Sequence, residues 1–354
     1  MPHDHDHQGH EAATDESGTA NPVLIEIIRG DLIESRHRGS VALVDAHGKV
    51  AFSAGDIMGE VFPRSAIKPI QALMLLETGA AKRFGLGLAQ IALACASHSG
   101  SEIHTDIVGA WLEKIGCTED DLVCGPSLPW SDYEKEALFA QRGGPSRLQD
   151  NFSGKHAALL TVAKHLGYPT LGYNRLDHPV QQRLLGLVEQ MTGLDLFDAP
   201  KGIDGCGIPV FGIPLANIAL AMARLVDPHD QPDERQAACK RIVRAMFDEP
   251  YLIGGKDRFD TRILDACRGT ALIKTGAEGV YTGCFPELGL GVALKIDDGS
   301  RRAAEAAMMQ IMRRFEVLSE RAKGRLLNIL EPPLFSRSGE VVGVIRGAGP
   351  LALS

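Results

Sequence analysis

The apolar positions change period twice along the chain. Between residues 22 and 57 they fall in short β-branched runs, Val23-Leu24-Ile25-Glu26-Ile27-Ile28 and Ser40-Val41-Ala42-Leu43-Val44-Asp45. The segment Asp45-Ala46-His47-Gly48-Lys49-Val50 has the residues of a hairpin turn. From Ser65 the spacing turns helical, through Gln71-Ala72-Leu73-Met74-Leu75-Leu76-Glu77 to a stop at Gly79, and again over Leu88–Ala94. Residues 101–267 alternate helical stretches with Gly- and Pro-rich loops. Strand texture returns at Thr270–Lys274, Gly279–Cys284 and Leu290–Ile296. A helix over Arg301–Val317 and a final strand, Val341–Ile345, complete the pattern. It predicts an α/β (α+β) fold: one antiparallel sheet built from both chain ends, residues 22–64 and 268–354, carrying helices and an inserted, mainly helical lobe at 65–267. Residues 1–21 show no apolar period and are expected to form a disordered tail, leaving 22–354 as a single catalytic unit.

Composition narrows the class. At 354 residues the chain can bury a large core, and its net charge of -8 argues against nucleic acid, whose phosphates call for a basic face. No apolar run approaches the ~20 residues of a membrane helix, and no charged-then-apolar leader opens the chain, so a cytoplasmic protein is expected. The seven cysteines are scattered without a Cys-x-x-Cys and read as reduced thiols. His3, His5, His7 and His10 in the tail could bind nickel or zinc adventitiously and carry no functional weight.

The chemistry centres on Pro63-Arg64-Ser65-Ala66-Ile67-Lys68-Pro69. A hydroxyl and an amine three residues apart share a helical face, and a neutral lysine can take the serine proton without a histidine. Such a pair arises by chance about once in a chain this long. Here Lys274-Thr275-Gly276 follows late, on an expected strand, and that order is used by active-serine acyl-transfer enzymes. The loop Ser97-His98-Ser99-Gly100 either caps the helix Ser101–Leu112 or supplies a second serine that shares a proton with Lys274. In Asn151-Phe152-Ser153-Gly154-Lys155-His156, Ser153 is the expected N-cap. Lys155 in the first turn then opposes the helix dipole, which asks for an anionic or metal-like reason. The loop Asp204-Gly205-Cys206-Gly207 is either a tight turn over a core cysteine or an acid for a substrate ammonium beside a thiol lining the pocket. Around Gly276 and Glu278, small residues let a ligand lie against backbone.

Taken in order, these motifs resemble the rhizobial-type (class 3) L-asparaginases, the asparaginase II family. The likeness spans most of 22–350 and rests on Pro-Arg-Ser-Ala-x-Lys-Pro, Ala-Ser-His-Ser-Gly, Ser-Gly-Lys-His-Ala, Asp-Gly-Cys-Gly-x-Pro and Lys-x-Gly-Ala-Glu-Gly. The resemblance implies a serine β-lactamase- and glutaminase-like fold and a homodimer. It implies two Ser–Lys tandems, Ser65 with Lys68 and Ser97 with Lys274, and a substrate pocket with Arg64, Lys155, His156 and Asp204. It also implies that a zinc ion can bind near the serines through two cysteines and a lysine. Lys155 and Cys206 match, but the first cysteine position holds Phe152, which cannot coordinate metal. Zinc is therefore expected to bind weakly or not at all, and no cofactor is required.

These readings combine into one expectation: hydrolysis of L-asparagine to L-aspartate and ammonia. Ser65 attacks the carboxamide, Lys68 takes the proton, Ser97 relays it, and backbone N–H groups of Ser65 and the 276–279 loop hold the oxyanion. Either Ser65 or Ser97 could stand nearest the substrate carbon. Burial and Lys274 would keep Lys68 neutral. Glutamine or a β-lactam as substrate, a non-catalytic amino-acid-binding protein, and a hydrolase dependent on Cys206 or metal are the alternatives.

Overall fold

The computed structural model describes residues 20–140 and 143–353. Its main sheet has eight strands. From one edge they run Pro333–Phe335, Val341–Gly347, Val23–Arg29, Leu32–Asp45, Leu290–Ile296, Val280–Phe285 and Leu272–Thr275, with Val50–Ala54 also paired to Leu32–Asp45. Every pairing is antiparallel. The two chain ends do build one sheet, and the strand Leu32–Asp45 joins them. Its first half pairs with Val23–Arg29 and its second half with Leu290–Ile296, in the register Leu43↔Val292.

Alternation along that strand sends its side chains into two cores. Val41 and Leu43 face one side with the helices Arg301–Arg314 and Phe259–Ala266, while Ala42 and Val44 face the other with the helical lobe. The helix Leu215–Val226 lies directly on the sheet. A Cβ at Gly291 would sit 2.0 Å from the Ala219 carbonyl oxygen, so only glycine admits that approach. Around it pack Lys68–Glu77, Leu88–Cys95, Ser153–Leu166, Pro179–Thr192 and Asp233–Asp248.

Most element ends shift by one to three residues from the sequence pattern, and three differences have a visible cause or partner. The helix expected to reach Val317 ends at Arg314, because Glu316 turns left-handed at φ 54°. The N-cap expected at Ser153 is Phe152, and the Ser153 hydroxyl instead donates to the Leu148 carbonyl at 3.0 Å. Asn21, assigned to the tail, is buried: its amide donates to Asp297 and its oxygen accepts from the Asp56 N–H. Residues 1–19 of that tail, with their four histidines, lie outside the described residues. All seven cysteines are buried and unpaired. No helix among the described residues is long and apolar enough to cross a membrane.

Candidate active site

Ser65 lies in a short 3-10 turn, Arg64–Ile67, that runs into the helix Lys68–Glu77. Lys68 is the first residue of that helix and is fully buried. Its amine does not turn back to Ser65. Nζ lies 2.5 Å from the Ala96 carbonyl oxygen, 3.1 Å from that of Asn151 and 3.2 Å from Ser97 Oγ. Lys274, also fully buried on the strand Leu272–Thr275, places Nζ 2.8 Å from the same Ser97 Oγ. One serine hydroxyl thus bridges two buried lysines that are distant in sequence. Ser65 is buried in its turn, which Thr282 Oγ1, donating to the Ala66 carbonyl at 2.7 Å, ties to the sheet.

Burial, then the charges of Lys155 and Lys274, pushes the Lys68 amine well below the usual lysine range. Burial likewise lowers Lys274 to about 8, against the opposing pull of Asp260. A neutral amine has two N–H bonds and one lone pair. At Lys68 the two carbonyls take the N–H groups, so the lone pair points at Ser97. Lys274 as an ammonium donates to Ser97 Oγ, to the Thr275 carbonyl at 2.9 Å, and toward Asp260 at 3.6 Å. In that arrangement Ser97 gives its proton toward Lys68 while accepting one from Lys274.

A second charged cluster adjoins the first. The hairpin Lys201–Ile203 with Pro209–Phe211 carries Asp204 and Cys206 at its tip. Arg64 Nε donates to Asp204 Oδ1 at 2.5 Å, from a backbone held left-handed at φ 51°. Lys155 Nζ lies 2.9 Å from Cys206 Sγ and 3.9 Å from Asp204 Oδ2. Burial pushes the Asp204 carboxyl up, but Lys155 and then Arg64 outweigh it and hold it below the usual carboxylate range. The anion expected opposite Lys155 is therefore Asp204. The Phe152 ring adjoins both clusters, its centroid 4.3 Å from Lys68 Nζ and 4.8 Å from Lys155 Nζ. Gly154 makes this geometry accessible, since a Cβ there would meet the Leu93 carbonyl oxygen at 2.3 Å. The helix bearing Lys155 can start only against the end of the helix that leads into Ser97.

The remaining expected residues divide. Gly276 abuts the serine turn, its would-be Cβ 3.0 Å from the Pro63 carbonyl oxygen, but its N–H donates to Val280 and is taken from the oxyanion donors. Glu278 is exposed beside Gly299 and is not gathered into the centre, because its left-handed backbone (φ 56°) turns the loop outward. His156 is buried with Nδ1 2.7 Å from the Tyr173 hydroxyl. Burial, then Lys155 and Lys68, keeps its imidazole neutral. It braces the helix rather than facing Ser65, because Lys155 and His156, as consecutive helical residues, point in different directions.

Comparison with known proteins now bears on this geometry. The model of the family L-asparaginase II matches residues 25–347. The chain belongs to that family. The family supports an amidohydrolase reading. No curated protein matches the sequence. Among solved structures it is similar to Mglu in its native form, at 15% identity and TM-score 0.44, over 79% of this chain and 65% of that one. The chain thus spans under two thirds of the length of Mglu. It is also similar to a β-lactamase from Mycobacterium bovis (12%, TM-score 0.40, 78% and 94%). A third is simvastatin synthase from Aspergillus terreus (12%, TM-score 0.37, 76% and 90%).

In this asparaginase II family member the sequence reading missed two supports. Asp260 faces Lys274, accepts from the Thr275 N–H at 3.1 Å and from the Tyr281 hydroxyl. It opens an ordinary amphipathic helix and belongs to no motif, so only its partners across the fold reveal it. His98 lies inside the loop Ser97-His98-Ser99-Gly100, whose serines carry its sequence signal. Its Nδ1 accepts from the Gly100 N–H and its Nε2 donates to Ser153 Oγ at 2.9 Å, which locks the Ser97 loop to the helix of Lys155. Burial keeps it neutral, as that pattern requires.

Proposed function

We propose that the protein hydrolyses the side-chain amide of L-asparagine through a serine acyl-enzyme. The observation that carries this reading is Ser97 Oγ standing between Lys68 and Lys274 at 3.2 and 2.8 Å. Ser65 Oγ attacks the carboxamide carbon and its proton passes by way of Ser97 to neutral Lys68. Collapse of the tetrahedral species expels ammonia, which takes that proton by way of Ser97. Water then attacks the aspartyl ester, with Lys68 again the base, and releases L-aspartate and free Ser65. Arg64 has its Nη groups left for the α-carboxylate, and Asp204 offers Oδ2 to the α-ammonium. Recognising both charges selects a small zwitterion over other amides.

Zinc has no part in this reading. The donors beside the site are one thiol and one amine, already 2.9 Å apart, and the Phe152 ring fills the third position. Two donors do not make a tetrahedral zinc site.

A second reading makes Ser97 the nucleophile, favoured by its two lysine contacts. Mass spectrometry of the acyl-enzyme trapped with an asparagine analogue decides between them, because the adduct falls on the peptide of Ser65 or on that of Ser97. Ammonia release should be fastest with asparagine, slower with glutamine, and absent for Ser65→Ala. No turnover of asparagine at all would overturn the function.

A further inference from the structure

On the surface, the turn Asp45–Val50 meets the loop that follows the helix Leu215–Val226, bringing together His47, Asp227, His229 and Asp230. His229 Nδ1 lies 3.0 Å from Asp227 Oδ1, and its Nε2 lies 3.0 Å from Asp230 Oδ1. Both ring nitrogens of His229 thus face a carboxylate, one acid able to share an ion with the ring and the other able to hold the ring in place. His47 Nδ1 adds a third donor, 3.6 Å from Asp230 Oδ2.

We propose that His47, His229 and Asp230 bind one divalent transition-metal ion, with zinc as the best match. Two imidazoles and a carboxylate suit that class, and water would complete a tetrahedron. Bonds of about 2.05 Å set neighbouring tetrahedral donors about 3.3 Å apart. The 3.0 Å between His229 Nε2 and Asp230 Oδ1 is close to that value. His47 Nδ1 lies 3.6 Å from the other Asp230 oxygen, and with the donor atoms within 4.8 Å of one another the exposed imidazole of His47 closes in on the ion as it binds. Asp227 is the positioning residue: it accepts the Nδ1–H of His229 and so turns the Nε2 lone pair to the ion. Asp227 also caps the carbonyl end of a 12-residue helix, whose dipole favours a cation there. On the other side, Asp45 Oδ1 accepts from the His47 and Lys49 N–H groups, both at 2.9 Å, and fixes the turn. The nearby competing cation, Arg224, is committed through Nη1 to the Gln190 and Met191 carbonyls at 3.0 Å. A bound ion would cross-link the sheet hairpin to the helical lobe, away from the serine–lysine centre.

The test is zinc titration by calorimetry on the full chain with His3, His5, His7 and His10 replaced by Ala, which removes the tail as a rival. One saturable zinc per chain is expected, and zinc at a hundredfold excess over Kd should raise Tm by roughly 3–5 °C. His229→Ala should weaken binding at least tenfold, and Asp227→Asn by about tenfold or more. Ammonia release from asparagine should stay unchanged in both, which separates this site from the proposed activity. Binding of equal strength in His229→Ala and Asp230→Asn, or no saturable binding in the parent, would overturn the proposal and leave only proton-mediated ion pairs.

Discussion

Two lysine clusters adjoin the Phe152 ring, and they solve burial in opposite ways. Lys155 faces a carboxylate that is itself paired to Arg64, so charge answers charge. Lys68 faces two carbonyls and a hydroxyl, with no acid in contact, so removal from water falls on its ammonium form. Buried cations without a partner give up their proton, whereas partnered ones form rigid structure. The same side chain is thus cast as a base in one cluster and as a positioning cation in the other.

The contrast can be broken most severely at Lys68. Lys68→Met keeps the volume and removes the lone pair, and kcat for asparagine should fall about 10³–10⁴-fold while Tm holds or rises. Rate and melting measurements together check this, and a lost fold would contradict it. On the charged side, Asp204→Asn leaves Lys155 and Arg64 facing a neutral amide. Urea unfolding should show a loss of about 2–4 kcal/mol, with a raised KM. Phe152→Cys would turn the shared ring into a donor beside Lys155 and Cys206. Zinc should then bind there at least about tenfold more tightly than in the parent, read by competition with a chromophoric chelator.

Smaller effects sharpen the comparison. The proposed cycle needs Lys68 neutral and Lys274 charged, so the rate should rise with pH as Lys68 loses its proton. It should fall again as pH climbs through about 8, where Lys274 loses its own. Asp260 raises the Lys274 value, so Asp260→Asn should move this alkaline limb to lower pH, by about a unit or less. Smallest of all is Ser99→Ala. That hydroxyl is buried without a partner, and its removal should change stability by less than about 0.5 kcal/mol.

The strands and the helices around Ser65 were legible because their apolar periods are long and uninterrupted. The meeting of Ser97 with Lys274 was legible only through motif order, since no local spacing connects residues so far apart. The Ser65–Lys68 hydrogen bond expected from helical spacing is absent. Spacing describes which residues share a face, and the carbonyls of Ala96 and Asn151 compete for the amine. Asp260 was invisible for the converse reason, being defined by Lys274, Thr275 and Tyr281 on two other strands. Phe152 could be seen as a replaced donor, but not as a ring adjoining two lysines.

The strand Leu32–Asp45 has a consequence in time. Its second half is synthesised early, yet the partner Leu290–Ile296 follows about 250 residues later. At ribosomal speed the exposed edge waits about 12–50 seconds. Through that interval Val41-Ala42-Leu43-Val44, covered on one edge by Val50–Ala54, offers its other backbone edge and no charge, the composition that recruits other strands. Lys274 joins Ser97 on the same late schedule, so the nascent chain carries its serines long before it can use them.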